Sequence, residues 1–109
     1  MDEIFRLTLV QANPVVGDIA GNAARAKGYW QAGRAAGADL VALTEMWITG
    51  YQTQDLILKP AFHKAAIAAI EALAAECADG PALGIGGPGL KDGKLYNAWY
   101  VLQTSYFLV

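Results

Sequence analysis

Leu40-Val41-Ala42-Leu43-Thr44-Glu45 is the stretch on which the fold turns. Four apolar residues follow one another without polar alternation, and so short an unbroken run is the mark of a strand covered on both faces. Parallel strands of that kind need crossover connections, usually helices. Upstream, Ile19, Ala23, Ala26, Trp30 and Gly33 recur at helical spacing, with Lys27, Gln31 and Arg34 on the opposite side. Asp18 is the expected N-cap of that helix, and Gly37 supplies a left-handed stop. Earlier still, the apolar run over residues 4–12, closed by Asn13-Pro14, reads as a first strand.

Downstream, residues 44–54 mix Gly, Thr and Gln and read as loop. Pro60 suits the first turn of a second helix, expected over residues 60–78 with Phe62, Ala66, Ile70, Leu73 and Cys77 as its apolar stripe. Asp79-Gly80-Pro81 ends it. Residues 82–85 form a third strand and residues 95–102 a fourth, joined by a turn around Lys91-Asp92-Gly93-Lys94. The order β-α-β-α-β-β predicts an α/β layer fold. Its first two strands should lie parallel and its last two should form a hairpin.

Composition agrees with a packed domain. Of 109 residues 55% are hydrophobic and 17% charged, an apolar excess that implies surface to be covered by more chain or by a partner. The net charge is -2 and no Lys/Arg cluster occurs, which argues against a nucleic-acid partner. Cys77 is the single cysteine; it cannot form an internal disulfide, as fits a reducing cytoplasm. Met1-Asp2-Glu3 places acid where a signal peptide carries basic residues. No apolar run approaches the ~18 residues of a membrane span, so a soluble cytoplasmic protein with no membrane partner is expected.

Glu45 is the first candidate for chemistry. It follows the buried run at the carboxyl end of a strand, the edge at which α/β sheets bind ligands. Flanked by Leu43, Met46 and Trp47, its carboxylate should be partly withdrawn from water and able to take a proton. Position alone favours a strand-end glutamate that reaches solvent or caps a loop. The remaining candidates read as structural. Cys77 lies on an apolar helix stripe with no basic neighbour, where a thiol is inert packing. Lys94 belongs to a hairpin turn and should be solvated. His63, the lone histidine, is expected at the surface, and one His with no Cys nearby makes no metal site. Asn97, in an apolar strand, should satisfy backbone groups. Gly84-Ile85-Gly86-Gly87-Pro88-Gly89 matches the dinucleotide pattern G-x-G-x-x-G. The residues after it lead to another strand instead of a phosphate-binding helix, so no cofactor is assigned to them.

The wider string 38–46, Ala-Asp-Leu-Val-Ala-Leu-Thr-Glu-Met, followed by Thr49-Gly50-Tyr51, closely resembles the first signature of the nitrilase (carbon-nitrogen hydrolase) superfamily. Leu9-Val10-Gln11-Ala12-Asn13-Pro14, with Val16-Gly17-Asp18 and Asn22, is similar to that family's first strand and loop. Residues 48–56, Gly84-Ile85-Gly86-Gly87-Pro88 and Gly93-Lys94-Leu95-Tyr96-Asn97-Ala98 further resemble the glutaminase domain of bacterial glutamine-dependent NAD synthetases. The resemblance covers residues 4–102. It implies a nitrilase-type α-β-β-α sandwich, of which this chain would supply the N-terminal part. It implies that Glu45 is the general base of a Glu-Lys-Cys triad acting on glutamine, with Tyr51 able to line the glutamine pocket. A packed aromatic beside the loop fits Tyr51 as well.

In the family the Lys and Cys follow the hairpin, later than anything in this chain. Residues 103–109 depart from the family pattern and read as a truncation, a frameshift or an artificial tail. The chain alone is therefore expected to be inactive. Its implied partners are glutamine, the remaining half of the domain and a synthetase domain using ATP and magnesium, in a homo-oligomeric parent. Thr44 stands where the family usually has Pro, which leaves the pose of Glu45 to be settled. Two other readings stay open: another amidase of the superfamily, and a non-catalytic fragment acting only by association.

Overall fold

The computed structural model describes residues 3–103 and the backbone of residues 106–108. Its elements run β1 (Leu7–Leu9), α1 (Ile19–Ala35), β2 (Leu40–Ala42), a 3-10 turn (Gln54–Leu58), α2 (Pro60–Glu76), β3 (Ala82–Lys91), β4 (Lys94–Leu102) and β5 (Tyr106–Leu108). One five-stranded sheet takes them in the order β1-β2-β3-β4-β5. β1-β2 and β2-β3 pair in parallel, whereas β3-β4 and β4-β5 are antiparallel. The chain is thus α/β, with parallel and antiparallel strands in one sheet. The expected parallel pair and hairpin are both present. The fifth strand was not foreseen in the sequence; the reading of residues 1–2, 104, 105 and 109 concerns positions outside the described residues.

Local chemistry accounts for the boundaries. The Asp18 side chain caps α1 by accepting from Gly21 N at 3.0 Å, and the helix closes where Gly37 takes φ +79°. Gly37 N donates to Arg34 O and Ala38 N to Gly33 O, the paired bonds of a Schellman stop. β1 is shorter than its apolar run because β2 offers only Leu40, Val41 and Ala42 for pairing. β3 is longer than expected, since β4 pairs it from Leu83 through to Lys91. Asp92 and Gly93 form the two-residue turn with φ of 53° and 74°, the left-handed pair that such a hairpin needs.

Both helices cover one face. Gly33 of α1 lies against Val41 and Thr8, and Gly87 of β3 lies against Ile70 of α2. Val41 is in register with Leu83, and Leu83, Ile85 and Gly87 alternate onto the same side. The core under the helices contains Ala26, Trp30, Val41, Ile70, Leu73, Leu83, Ile85 and Leu102, with Trp47 and Ile48 of the loop after β2 fully buried. Burial of each large side chain contributes about 2–3 kcal/mol. On the opposite face Leu7 and Leu9 are exposed, where the apolar excess of the composition becomes visible. Among the described residues no helix is long and apolar enough to cross a membrane.

The α2 stripe needs one correction. His63 is buried, at 8% exposure, and its Nδ1 donates to Ile57 O at 2.9 Å. The 3-10 turn before α2 folds over the helix start and supplies that acceptor, while Phe62 is only half-buried. A lone histidine among alanines gave no sign that such a turn would cover it.

Candidate active site

β2 ends at Ala42, and the next residues cross onto β3 without leaving the sheet edge. Leu43 N donates to Gly84 O at 2.8 Å and Ile48 N to Gly86 O at 3.1 Å. The segment between them therefore straddles the middle of β3, with Glu45 at its crest. Met46 follows in the left-handed region at φ 56°, a conformation that bulky residues adopt only where surroundings impose it. Three neighbours impose it here. Trp47 and Ile48 are buried directly after it, and Gly86 lies beneath the crest.

Glu45 projects between two open clefts. One, of about 380 Å³, is lined by Ala12, Asn13, Pro14, Thr44, Glu45 and Tyr51. The other, of about 320 Å³, is lined by Glu45, Asn97, Ala98 and Trp99. The first is built from the loops after β1 and β2, the carboxyl ends of two parallel strands, where an α/β sheet presents ligand sites. Glu45 is exposed in this chain, which corrects the expectation of partial withdrawal from water: Leu43 and Trp47 turn into the core and leave the carboxylate outside. Asn97 Nδ2 donates to Glu45 Oε1 at 2.8 Å. Among the described residues it is the one hydrogen-bond donor to that carboxylate. Asn97 thus serves a side chain, not the backbone groups assigned to it from sequence.

Asn22 fixes the loops around the first cleft. Its Oδ1 accepts from Val15 N at 2.9 Å, and its Nδ2 donates to Val15 O at 2.8 Å and Ile48 O at 3.1 Å. Trp47 Nε1 donates to Asn22 O at 2.9 Å, and Gly17 N donates to Thr49 O at 2.9 Å. Gly50, at φ +83°, has no room for a Cβ against the backbone of Val15 and Val16. The loops that carry Pro14 and Tyr51 are so tied to the same frame as Glu45. Tyr51 itself is 59% exposed on the cleft wall.

The other candidates stand apart. Cys77 is buried at 1% exposure at the end of α2, and burial, then the Glu76 charge, push its thiol up to about 11 against the opposing pull of Lys27. Such a thiol is neutral and inert. Lys94 is exposed at the hairpin turn, and neither residue lines a Glu45 cleft. The glycine run lies in β3 and leads through a turn into β4, not a helix. Among the described residues no group of three or more His, Cys, Asp or Glu could hold a metal ion. The arrangement offers one carboxylate, oriented by an amide, beside open space for a substrate. That is the equipment of a proton acceptor and donor.

Comparison with known proteins follows the same lines. The family model for carbon-nitrogen hydrolases matches residues 6–108. A glutamine-dependent NAD(+) synthetase of Rhodobacter capsulatus is 64% identical over 105 residues, covering 96% of this chain and 19% of that protein. The solved glutamine-dependent NAD+ synthetase of Acinetobacter baumannii superposes with a TM-score of 0.84 at 25% identity, over 95% of this chain and 20% of that one. An amidase from Nesterenkonia sp. shares the fold, with a TM-score of 0.73 at 18% identity over 89% of this chain and 37% of its own. The chain spans about a fifth of the length of the synthetases it matches.

Proposed function

The chain belongs to the carbon-nitrogen hydrolase family, and from that membership we propose that it forms part of a protein that hydrolyses the side-chain amide of glutamine to supply ammonia for NAD synthesis. The observation that carries this reading is the Glu45 carboxylate at the end of β2, set between two clefts with Asn97 on one oxygen. Support for glutamine as the substrate comes from the Rhodobacter relative, whose name carries that dependence.

In the proposed reaction Glu45 takes the proton of a cysteine thiol supplied by another part of the parent protein. The thiolate attacks the amide carbon, and a lysine from that same part stabilises the tetrahedral oxyanion. Collapse breaks the carbon-nitrogen bond while Glu45 returns the proton to the leaving ammonia. Water, deprotonated by Glu45, then releases glutamate from the thioester. We assign Tyr51 to contact with the substrate chain, a role supported by its place on the wall of the Glu45 cleft. Neither Cys77 nor Lys94 can take the missing roles, so the chain alone is inactive in this account.

We assign ATP and magnesium to the synthetase portion of a homo-oligomeric parent. The amidase alternative rests on a likeness of fold and has no observation of its own. The test is ammonia release from glutamine by the full-length protein carrying this sequence, beside its Glu45→Gln variant. Loss of a general base should lower kcat by about 10²–10⁴-fold. A variant as active as the parent would remove Glu45 from the chemistry, and a parent that hydrolyses other primary amides but not glutamine would favour the amidase.

A further inference from the structure

β4 sends two side-chain donors across β3 to the segment that carries Glu45. Trp99 Nε1 donates to Leu43 O at 3.0 Å, and Asn97 Nδ2 donates to Glu45 Oε1 at 2.8 Å. Donors two residues apart on β4 meet acceptors two residues apart after β2, in opposite chain directions. Residues two apart on a strand share a face and are separated by about 6.5 Å, so the pair sets both the position and the direction of residues 43–45.

The reach is possible because β3 is bare where it is crossed. A Cβ on Gly84 would collide with the Trp99 ring, and one on Gly86 with the backbone of Thr44, Glu45 and Met46. Gly84 pairs with Val101 and Gly86 with Trp99, so both glycines present their empty side to the face from which the two donors reach over. The Gly-Ile-Gly of the declined dinucleotide pattern thereby has a physical use: it is clearance.

We propose that Asn97 is a positioning residue that holds the Glu45 carboxylate in its working orientation, and that Trp99, Gly84 and Gly86 are the frame that lets it do so. This rests on the reaction given under Proposed function. A carboxylate on an exposed side chain is otherwise free to rotate about three torsions. An amide donor on one oxygen leaves the other available to exchange protons. Asn suits the task where Asp does not, since an ionised Asp of the same shape donates nothing.

Two measurements test it. In the full-length protein, the Asn97 side-chain amide should show one downfield-shifted proton in heteronuclear NMR, lost in Glu45→Ala. In the full-length protein, Asn97→Asp should lower kcat for glutamine about 30- to 100-fold with KM within about twofold, the scale of a misplaced catalytic group. Asn97→Gln, which keeps the donor on a longer arm, should recover part of that loss. Because Asn97 is exposed, thermal midpoints should be unchanged; should Asn97→Asp fail to fold, the amide proton and the Asn97→Gln rate still decide. An amide proton indifferent to Glu45→Ala overturns the proposal. So does a fully active Asn97→Asp in a protein that hydrolyses glutamine. A responsive amide proton in a full-length protein inert towards glutamine overturns the assigned reaction, and the catalytic meaning of the contact with it, while leaving the contact itself established.

Discussion

Asn22 is fully buried and has all four side-chain hydrogen bonds satisfied: Arg25 Nη2 at 2.6 Å joins Val15 N at its oxygen, and Val15 O and Ile48 O take its two protons. Asn22→Ala would strand buried donors and acceptors in two loops at once, at about 1–3 kcal/mol for each group left unpaired. A loss of about 3 kcal/mol should appear as a lower urea midpoint with an unchanged slope. Cys77 makes a second prediction at this scale. Its thiol stays neutral in the folded chain to about 11, above the ordinary thiol range near ~8.5. Its contribution to stability is therefore complete below that range and is lost as pH rises through about 11. Unfolding free energy measured across that window should fall less steeply in Cys77→Ala than in the parent chain. Residues whose role is set by their own stretch were legible in sequence. Asp18 before a helix and Cys77 on a stripe stand where they were expected, and Glu45 follows its strand as read but lies exposed instead of partly withdrawn from water. Asn22, Asn97 and His63 were not, because each is defined by an acceptor far along the chain or in an irregular turn.

At the scale of elements, the hairpin β3-β4 was read in outline and its purpose was missed. Glycines and a proline argue against a strand, and local propensity gave no reason to extend β3 beyond Ile85. Cross-strand pairing with β4 overrides it. The glycines are selected by what passes over them, information held in Trp99 and in the loop after β2. Gly84→Ala should displace the Trp99 ring and break its bond to Leu43 O, costing about 2–3 kcal/mol. The cost should shrink in a Trp99→Leu background, where the ring is absent; a double-mutant cycle measures that coupling directly. An undiminished cost would mean that Gly84 answers to something other than the indole.

For the whole molecule, periodicity and strand patterning were enough to give the α/β class, because both helices and the parallel strands follow from residues close in sequence. The face opposite the helices, with Leu7 and Leu9 exposed, and the clefts beside Glu45 depend on how distant segments meet, and composition alone showed only that apolar surface was in excess. The central claim is that this frame sets Glu45 to work on glutamine within a longer protein that makes NAD. The most direct test is isotope transfer: the full-length protein, given ATP, magnesium, the nicotinic acid dinucleotide and glutamine labelled with ¹⁵N in its side-chain amide, is followed by mass spectrometry of the product. The account predicts ¹⁵N in the carboxamide of NAD; Glu45→Gln abolishes that label, and added unlabelled ammonia restores NAD formation in the variant, without ¹⁵N. Unlabelled NAD formed from labelled glutamine by the unsubstituted protein, or labelled NAD formed equally well by Glu45→Gln, would contradict it.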